Sequence, residues 1–178
     1  MNRVVITGIG IISCLGNNKN EVLASLLGSK SGLTLNPEYK ENGMRCHISG
    51  QVNPNLDVID RKMLRFMSET SAYAFLSTEE ALADSGLGIE DINNDTTGVI
   101  VGSGTGSRRE LKNVVDTARE KGIKRVGPYA VTRTMGNTTS AAISTFFQTK
   151  GVSFSIASAC STSLHCISYA FDLSLIHI

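Results

Sequence analysis

The chain has 178 residues, a length within the roughly 100–200 residues expected of a single domain. Seventeen Lys and Arg residues against sixteen Asp and Glu leave a formal charge of +1, which argues against a general binder of nucleic acid or of anionic membranes. Hydrophobic residues make up 41% of the chain, enough for a packed core and too many for a disordered chain.

The apolar run Val4–Ile12 contains Thr7, Gly8 and Gly10 and follows a single positive charge, so it favours a β-strand over a signal peptide. No segment approaches the roughly 18 apolar residues of a membrane span. The four cysteines are too sparse for a disulfide scaffold and form no C-x-x-C pair, so structural zinc is not expected. We therefore predict a cytosolic protein without a metal site; the cysteines are Cys14, Cys46, Cys160 and Cys166.

Hydrophobic periodicity and turn residues predict helices and strands that alternate along the chain. Asn17 or Asn18 is expected to cap a helix that Gly28 ends, residues 29–57 to form loops with short strands, and Asp60 to cap a long helix running to about Ala83. The later predicted elements are a strand at Thr97–Val101, a helix after a capping box of Ser107 and Glu110, a helix at Ser140–Gln148, a strand at Val152–Ile156 and a helix from about Ser161. Leu111 and Val115 lie on one apolar face of the helix after Ser107, and this face is expected to cover a sheet. This alternation predicts a layered α/β fold with a mostly parallel sheet and covering helices.

Small residues surround Cys160 where the predicted strand turns into the last helix. A cysteine at a helix N-terminus lies at the positive end of the helix dipole, which stabilises its thiolate, and nearby backbone N–H groups can bind an oxyanion. Cys160 is therefore a candidate nucleophile, although a buried, unreactive cysteine fits the local pattern equally well.

Two neighbours of Cys160 are given structural roles. His165 lies five residues along the helix, about 140° around its axis, so it is expected to point away from Cys160 and to be a core histidine. Cys166 is expected to be a packing residue. The base for a cysteine nucleophile must then come from elsewhere.

Motifs spread over residues 4–167 resemble the N-terminal half of a β-ketoacyl-acyl carrier protein synthase, nearest to the type I enzymes of bacterial fatty-acid synthesis. These motifs are Val4-Val5-Ile6-Thr7-Gly8-Ile9-Gly10, the stretch Ile59–Met67, Gly102-Ser103-Gly104, Val126-Gly127-Pro128-Tyr129, and the stretch Ser158–Ile167 around Cys160. The resemblance implies a thiolase-like fold made of two similar α/β halves, of which this chain supplies the first.

The resemblance also implies a chemistry and a set of partners. Cys160 accepts an acyl group from acyl carrier protein (ACP), and decarboxylation of malonyl-ACP supplies the carbanion that attacks the thioester. No cofactor is implied; the intact enzyme is a homodimer, and the family's two histidines and lysine belong to its second half. The loop Gly102–Gly106 lacks the Lys-Ser/Thr pair of a P-loop and is expected to lie near the acyl pocket, with Thr105 and Met135 as lining residues.

Because ACP is acidic, its docking surface should be basic. Arg61 and Arg65 are four residues apart on one predicted helix face, with Lys62 beside them, and the resemblance assigns docking to the positions of Lys121 and Lys124 as well. The alternative is an ordinary solvated charged face.

Two further alternatives stay open: a polyketide-type ketosynthase, and a non-catalytic protein that binds ACP or another ketosynthase. The last six residues, Leu173-Ser174-Leu175-Ile176-His177-Ile178, equal the translation of a transposon end used in sequencing libraries. We therefore expect residues 1–172 to be a truncated ketosynthase half, inactive by itself, and residues 173–178 to be a non-native tail.

Overall fold

The structure is a computed structural model that describes residues 3–176. The helices are α1 (Lys19–Leu27), α2 (Pro37–Glu41), α3 (Arg61–Leu64), α4 (Glu69–Ser85), α5 (Ile89–Ile92), α6 (Arg108–Lys121), α7 (Ala130–Thr134), α8 (Thr138–Phe147) and α9 (Thr162–Ile176). The strands are β1 (Leu33–Leu35), β2 (Ile48–Gly50), β3 (Val99–Gly102) and β4 (Ser153–Ile156). Short 3-10 helices cover Leu56–Val58, Ile123–Arg125 and Ala159–Ser161.

The strands form two pairs. β1 and β2 are antiparallel, whereas β3 and β4 are parallel, in register from Val99 opposite Ser153 to Gly102 opposite Ile156. Helices α8 and α9 pack on the parallel pair. The connection between its two strands runs through α6, α7 and α8, as a parallel pair requires a long crossover.

Adjacent side chains of β4 show how the helices are layered. Phe154 meets the ring of Tyr169 in α9, with centroids 6.2 Å apart, while the Ser155 hydroxyl donates to Ser140 Oγ in α8 at 2.8 Å. Successive side chains of a strand point to opposite faces, so α9 and α8 cover opposite faces of the sheet. The predicted layered α/β fold with a parallel sheet is confirmed.

The hydrophobic core lies between α4, α8 and β3. Phe75 of α4 stacks on Phe147 of α8 with ring centroids 5.2 Å apart, and both side chains are buried. The buried core residues are Ile59, Met67, Ala72, Phe75, Ile92, Val99, Ala142, Ile143 and Phe147. α8 is thus fixed on one side by α4 and on the other by the sheet.

The predicted single helix from Asp60 to about Ala83 is wrong, since the structure has two helices there. The Asp60 carboxylate accepts from the Lys62 N–H and begins the four-residue α3, and the Ser68 hydroxyl accepts from the Ser71 N–H and begins α4. The break between them turns Met67 into the core, where it is 2% exposed. Burial of this side chain outweighs the helical hydrogen bonds that a continuous helix would add.

The predicted strand at Val4–Ile12 is also wrong. Residues 3–12 belong to no strand or helix, and they run beside α4. The Ile9 N–H donates to the Asp84 carboxylate at 3.0 Å, and the Ile11 N–H donates to Glu80 at 2.9 Å. Acidic side chains of a helix therefore satisfy backbone donors that a neighbouring strand would otherwise satisfy.

The predicted capping box at the start of α6 is half present. Ser107 Oγ accepts from the Glu110 N–H at 3.4 Å, but the buried Glu110 carboxylate pairs with Arg133 of α7 at 2.8 Å. This ion pair holds α6 against α7 rather than against the sheet, and Leu111 is exposed. The expectation that α6 covers a sheet is therefore wrong.

Other sequence predictions agree closely with the structure. Asn18 caps α1, Gly28 ends it, and β4 lies within the predicted Val152–Ile156. The region of the expected non-native tail is described only in part: residues 173–176 continue α9, and His177 and Ile178 lie outside the described residues.

Candidate active site

Cys160 lies on the turn between β4 and α9, in residues 157–162, which we call the elbow. The strand ends at Ile156, a 3-10 helix covers Ala159–Ser161, and α9 begins at Thr162. Ala159 has a φ of +48°, the left-handed region that side chains other than glycine rarely adopt. Cys160 is exposed among the described residues, so it is not buried as the alternative expected.

A buried hydroxyl ties the elbow together. Thr162 is 4% exposed, and its Oγ1 accepts from the Ser158 N–H at 2.9 Å and donates to the Ala159 carbonyl oxygen at 2.8 Å. The Ser161 N–H donates to the Ser158 carbonyl at 3.1 Å, which closes the turn. The backbone on both sides of Cys160 is thus held by hydrogen bonds within the elbow.

The end of β3 and the glycine-rich loop after it pack directly on the elbow. A Cβ atom at Gly104 would lie 2.8 Å from the Ala159 carbonyl oxygen, and one at Gly102 would lie 2.6 Å from the Thr162 methyl group. Only glycine allows the two backbones to approach so closely. Thr105 is exposed in this loop, and its hydroxyl donates to the Gly106 carbonyl at 3.5 Å.

His165 is not the core residue that its spacing predicts. Its side chain is exposed, and Nδ1 lies 2.7 Å from the Ser158 hydroxyl oxygen. The prediction is wrong because α9 borders the elbow here, and one turn of helix brings His165 back toward Ser158. Cys166 is buried as predicted, and burial raises the pKa of its thiol.

Met135 lines an apolar cavity of about 520 Å³ between the segment around α3 and helix α8. Its apolar walls come from Met63, Phe66, Met135, Ala141, Ala142 and Phe146. Lys62 also lines this cavity. Thr105 does not line this cavity. The structure therefore brings Met135 to an apolar pocket, whereas Thr105 belongs to the loop behind Cys160.

Five predicted docking residues are exposed, and we call them the basic surface: Arg61, Lys62, Arg65, Lys121 and Lys124. None of them forms an ion pair with another residue of the described part of the chain. Phe66 and Tyr129 meet edge to face with ring centroids 4.7 Å apart, which joins the segment after α3 to the segment after Ile123–Arg125. Positive charge from both parts of the basic surface is thus free to face a ligand.

Residues 3–176 contain neither a metal-binding group nor a membrane-spanning helix. No group of His, Cys, Asp and Glu side chains there could hold a metal ion. No helix in that range is long and apolar enough to cross a membrane.

Sequence reasoning missed Thr162 and the Ser158–His165 contact. Thr162 carries no signal beyond its position two residues after a candidate nucleophile, where a hydroxyl can reach the preceding backbone. The cavity walls Phe66 and Phe146 are 80 residues apart in sequence, and neither has a pattern that predicts a pocket.

The parallel sheet, the covering helices and an exposed cysteine on a strand-to-helix turn are the features of a thiolase-like α/β protein. Residues 1–174 match the family described as "Beta-ketoacyl synthase, N-terminal domain", and the chain belongs to that family. It is 49% identical over 176 residues to 3-oxoacyl-(acyl-carrier-protein) synthase 1 of Haemophilus influenzae, covering 97% of this chain and 43% of that relative. The chain thus spans less than half the length of this curated relative.

Solved structures show the same fold. A β-ketoacyl synthase from Burkholderia phymatum superposes with a TM-score of 0.79 at 26% identity, covering 97% of this chain and 43% of that one. A type II polyketide ketosynthase, described as a complex with its acyl-carrier protein, superposes with a TM-score of 0.72 at 20% identity, covering 97% and 46%. The family and fold expected from the sequence motifs are confirmed.

Proposed function

We propose that this chain supplies the nucleophile of a 3-oxoacyl-ACP synthase, which condenses an acyl thioester with malonyl-ACP in fatty-acid synthesis. The observation that carries the proposal is the exposed Cys160 on an elbow at the start of α9. Identity of 49% to a 3-oxoacyl-(acyl-carrier-protein) synthase over nearly the whole chain supports this substrate class.

The proposed chemistry proceeds in two transfers. The Cys160 thiolate attacks the carbonyl of acyl-ACP, a thioester forms on the Cys160 sulfur, and the bond to the ACP sulfur breaks. The ACP sulfur leaves as a thiolate, which takes up the proton that the Cys160 thiol had lost. Malonyl-ACP then loses carbon dioxide, and its C2 carbanion attacks the Cys160 thioester, which releases the thiolate and gives 3-oxoacyl-ACP. Backbone N–H groups at the elbow stabilise the oxyanion that each attack creates.

We propose ACP as the protein partner and the basic surface as its docking site. The name of the relative includes an acyl-carrier protein as substrate carrier, and one solved ketosynthase of this fold is described in complex with one. Five exposed cations without an ion-pair partner among the described residues support attraction to an acidic protein.

We further propose that the intact enzyme is a homodimer in the cytosol, and that Thr105 and Met135 contribute to the acyl site. Leu164 and Ile167 of α9 are 70% and 60% exposed, and this apolar surface is one that the remainder of the intact enzyme or its second copy would cover. The apolar walls beside Met135 support contact with an acyl chain.

A polyketide-type ketosynthase is the weaker alternative, because the polyketide neighbour is 20% identical and its likeness concerns the fold alone. A protein that only binds ACP has no use for an exposed cysteine on this elbow. Thioester formation on Cys160 distinguishes that alternative from a condensing enzyme.

The test uses a full-length chimera, in which residues 1–172 of this chain precede the remaining C-terminal part of the Haemophilus influenzae relative. Incubated with acyl-ACP, the chimera is expected to gain one acyl group on Cys160, detected by mass spectrometry of the digested protein. Cys160→Ala should abolish the adduct, and the matched control Cys46→Ala, at another exposed cysteine, should retain it. A folded chimera that forms no adduct on Cys160 would contradict the proposal.

A further inference from the structure

We propose that the Thr162 hydroxyl is a positioning group that aims the Cys160 backbone N–H and side chain toward the substrate carbonyl. The inference deepens the proposed function and rests on it. It starts from the two hydrogen bonds of Thr162 Oγ1, one accepted from the Ser158 N–H and one donated to the Ala159 carbonyl oxygen.

These bonds are not those of a helix cap. A capping side chain accepts from the N–H of a residue two or three positions later, and so satisfies a free donor of the helix that it begins. Thr162 instead accepts from the N–H of Ser158, four residues earlier and outside α9. The hydroxyl therefore holds the elbow rather than the helix.

The bond to Ala159 sets the direction of the Cys160 N–H. The carbonyl of Ala159 and the N–H of Cys160 belong to one peptide group, which is planar and trans, so the two point in opposite directions. The Ala159 carbonyl accepts from the buried Thr162 hydroxyl at 2.8 Å and from the Thr162 backbone N–H, so the Cys160 N–H is directed away from both donors. It donates to no acceptor among residues 3–176, and so it is available to a substrate oxyanion.

The elbow needs such a restraint because its backbone is strained. Ala159 has a left-handed φ of +48° without being glycine, a conformation that persists only where surrounding contacts impose it. Thr162 Oγ1 makes two such contacts. It accepts from the N–H of Ser158, the residue before Ala159, and it donates to the carbonyl oxygen of Ala159. Loss of the hydroxyl would remove the only partner of the Ser158 N–H in the elbow and leave the Ala159 carbonyl with the Thr162 backbone N–H alone. The peptide group would then be less restrained, and Cys160 would move with it.

The Thr162 side chain is itself fixed. It is 4% exposed, and its methyl group lies against Gly102, where a Cβ atom would come within 2.6 Å. Thr162→Val keeps this shape and removes only the hydroxyl, whereas Thr162→Ser keeps the hydroxyl and removes the methyl group. The pair of variants thus separates hydrogen bonding from packing.

The experiment compares wild-type chimera with Thr162→Val, Thr162→Ser and the control Thr78→Val. The control removes another partly buried hydroxyl that donates to a backbone carbonyl, that of Ala74 in α4, at 2.7 Å. We measure single-turnover acylation of Cys160 at increasing acyl-ACP concentration, alkylation of Cys160 by iodoacetamide, and the melting temperature.

We expect Thr162→Val to lower the maximal acylation rate by about tenfold or more, because small displacements of reacting groups have effects of this size. The half-saturating ACP concentration should stay within about twofold, since docking is unchanged. Thr162→Ser should stay within about threefold of wild type, and Thr78→Val within about twofold.

The inference would be overturned if Thr162→Val acylates within twofold of the wild-type rate. It would also be overturned if Thr162→Ser, which retains the hydroxyl, loses as much of the acylation rate as Thr162→Val. If Thr162→Val does not fold, Thr162→Ala is judged by the same threshold. If the wild-type chimera forms no thioester, the proposed function fails, and alkylation then decides the inference. Alkylation about fivefold slower in Thr162→Val supports it, and equal rates overturn it.

Discussion

The elbow around Cys160 and the basic surface are built in opposite ways. The elbow depends on a buried hydroxyl, a strained alanine and a glycine in backbone contact, so each group is held by several others. The basic surface consists of exposed side chains, each on a flexible stem and without an ion-pair partner among the described residues. One added or missing atom in the elbow should therefore lower the Cys160 acylation rate strongly. Changing a single charge of the basic surface should have a small, salt-dependent effect on ACP binding.

Among the substitutions that test this difference, Gly104→Ala is expected to have the largest effect on the acylation rate. The new Cβ would lie 2.8 Å from the Ala159 carbonyl oxygen, so either the loop or the peptide group before Cys160 must move. We expect the Cys160 acylation rate of the chimera to fall by roughly ten- to a hundredfold, measured by single turnover with acyl-ACP.

Gly127→Ala is the matched control, because a Cβ atom there meets nothing within 4 Å. It should acylate within about twofold of wild type. If Gly104→Ala were as active as this control, the elbow would be a tolerant structure, and the contrast with the basic surface would disappear.

A smaller effect is expected from charge reversal on the basic surface. The double variant Arg61→Glu/Arg65→Glu should raise the half-saturating ACP concentration of the chimera about tenfold at low ionic strength, with the maximal acylation rate little changed. The difference should shrink to less than about threefold near 0.5 M salt, because exposed charges are screened.

The control for charge reversal is Lys30→Glu/Lys40→Glu, which changes the net charge equally at two other exposed lysines. It should leave the half-saturating concentration within about twofold. An equal effect of both double variants would mean that net charge, and not the basic surface, attracts ACP.

The smallest effect is expected on stability at high pH and concerns Cys166, a buried residue of α9 four residues after the elbow. Burial raises the pKa of its thiol above the unfolded value of 9.0, so the stabilisation is fully present below about pH 9 and is lost as the pH rises through the folded-state pKa. Cys166→Ala should therefore lose less unfolding free energy than wild type between pH 8 and pH 10, measured by urea denaturation of the chimera. Cys46→Ala, at an exposed cysteine, should follow wild type; an identical slope for all three proteins would refute this prediction.

Local signals in the chain were good guides where one short segment decides the structure. Asn18 before an apolar run and Gly28 after it predict the ends of α1, and the run Val152–Ile156 predicts β4. The same kind of signal failed at Val4–Ile12, because a strand needs a partner, and acidic residues of α4 take that place. It failed also for Asp60–Ala83, where burial of Met67 decides the break.

The candidate site divides in the same way. Small residues around Cys160, between a strand and a helix, predict a nucleophile and its place at a helix start, and the structure exposes that cysteine. No local pattern predicts that His165 turns to Ser158, or that Phe66 and Phe146 form one cavity. The cavity joins residues of separate elements by packing, and the His165 contact depends on where α9 begins relative to Ser158.

The sequence alone determined the family, the α/β layering and the candidate nucleophile, because motifs, periodicity and turn residues act over a few positions of the chain. Tertiary structure decided how the elbow is held, by the hydroxyl of Thr162 and by Gly104 packed against the Ala159 carbonyl. It also decided which distant residues form the apolar cavity beside Lys62. Hydrogen-bond direction and close backbone approach depend on distances of a few tenths of an ångström between separate elements, and only the packed chain sets those distances.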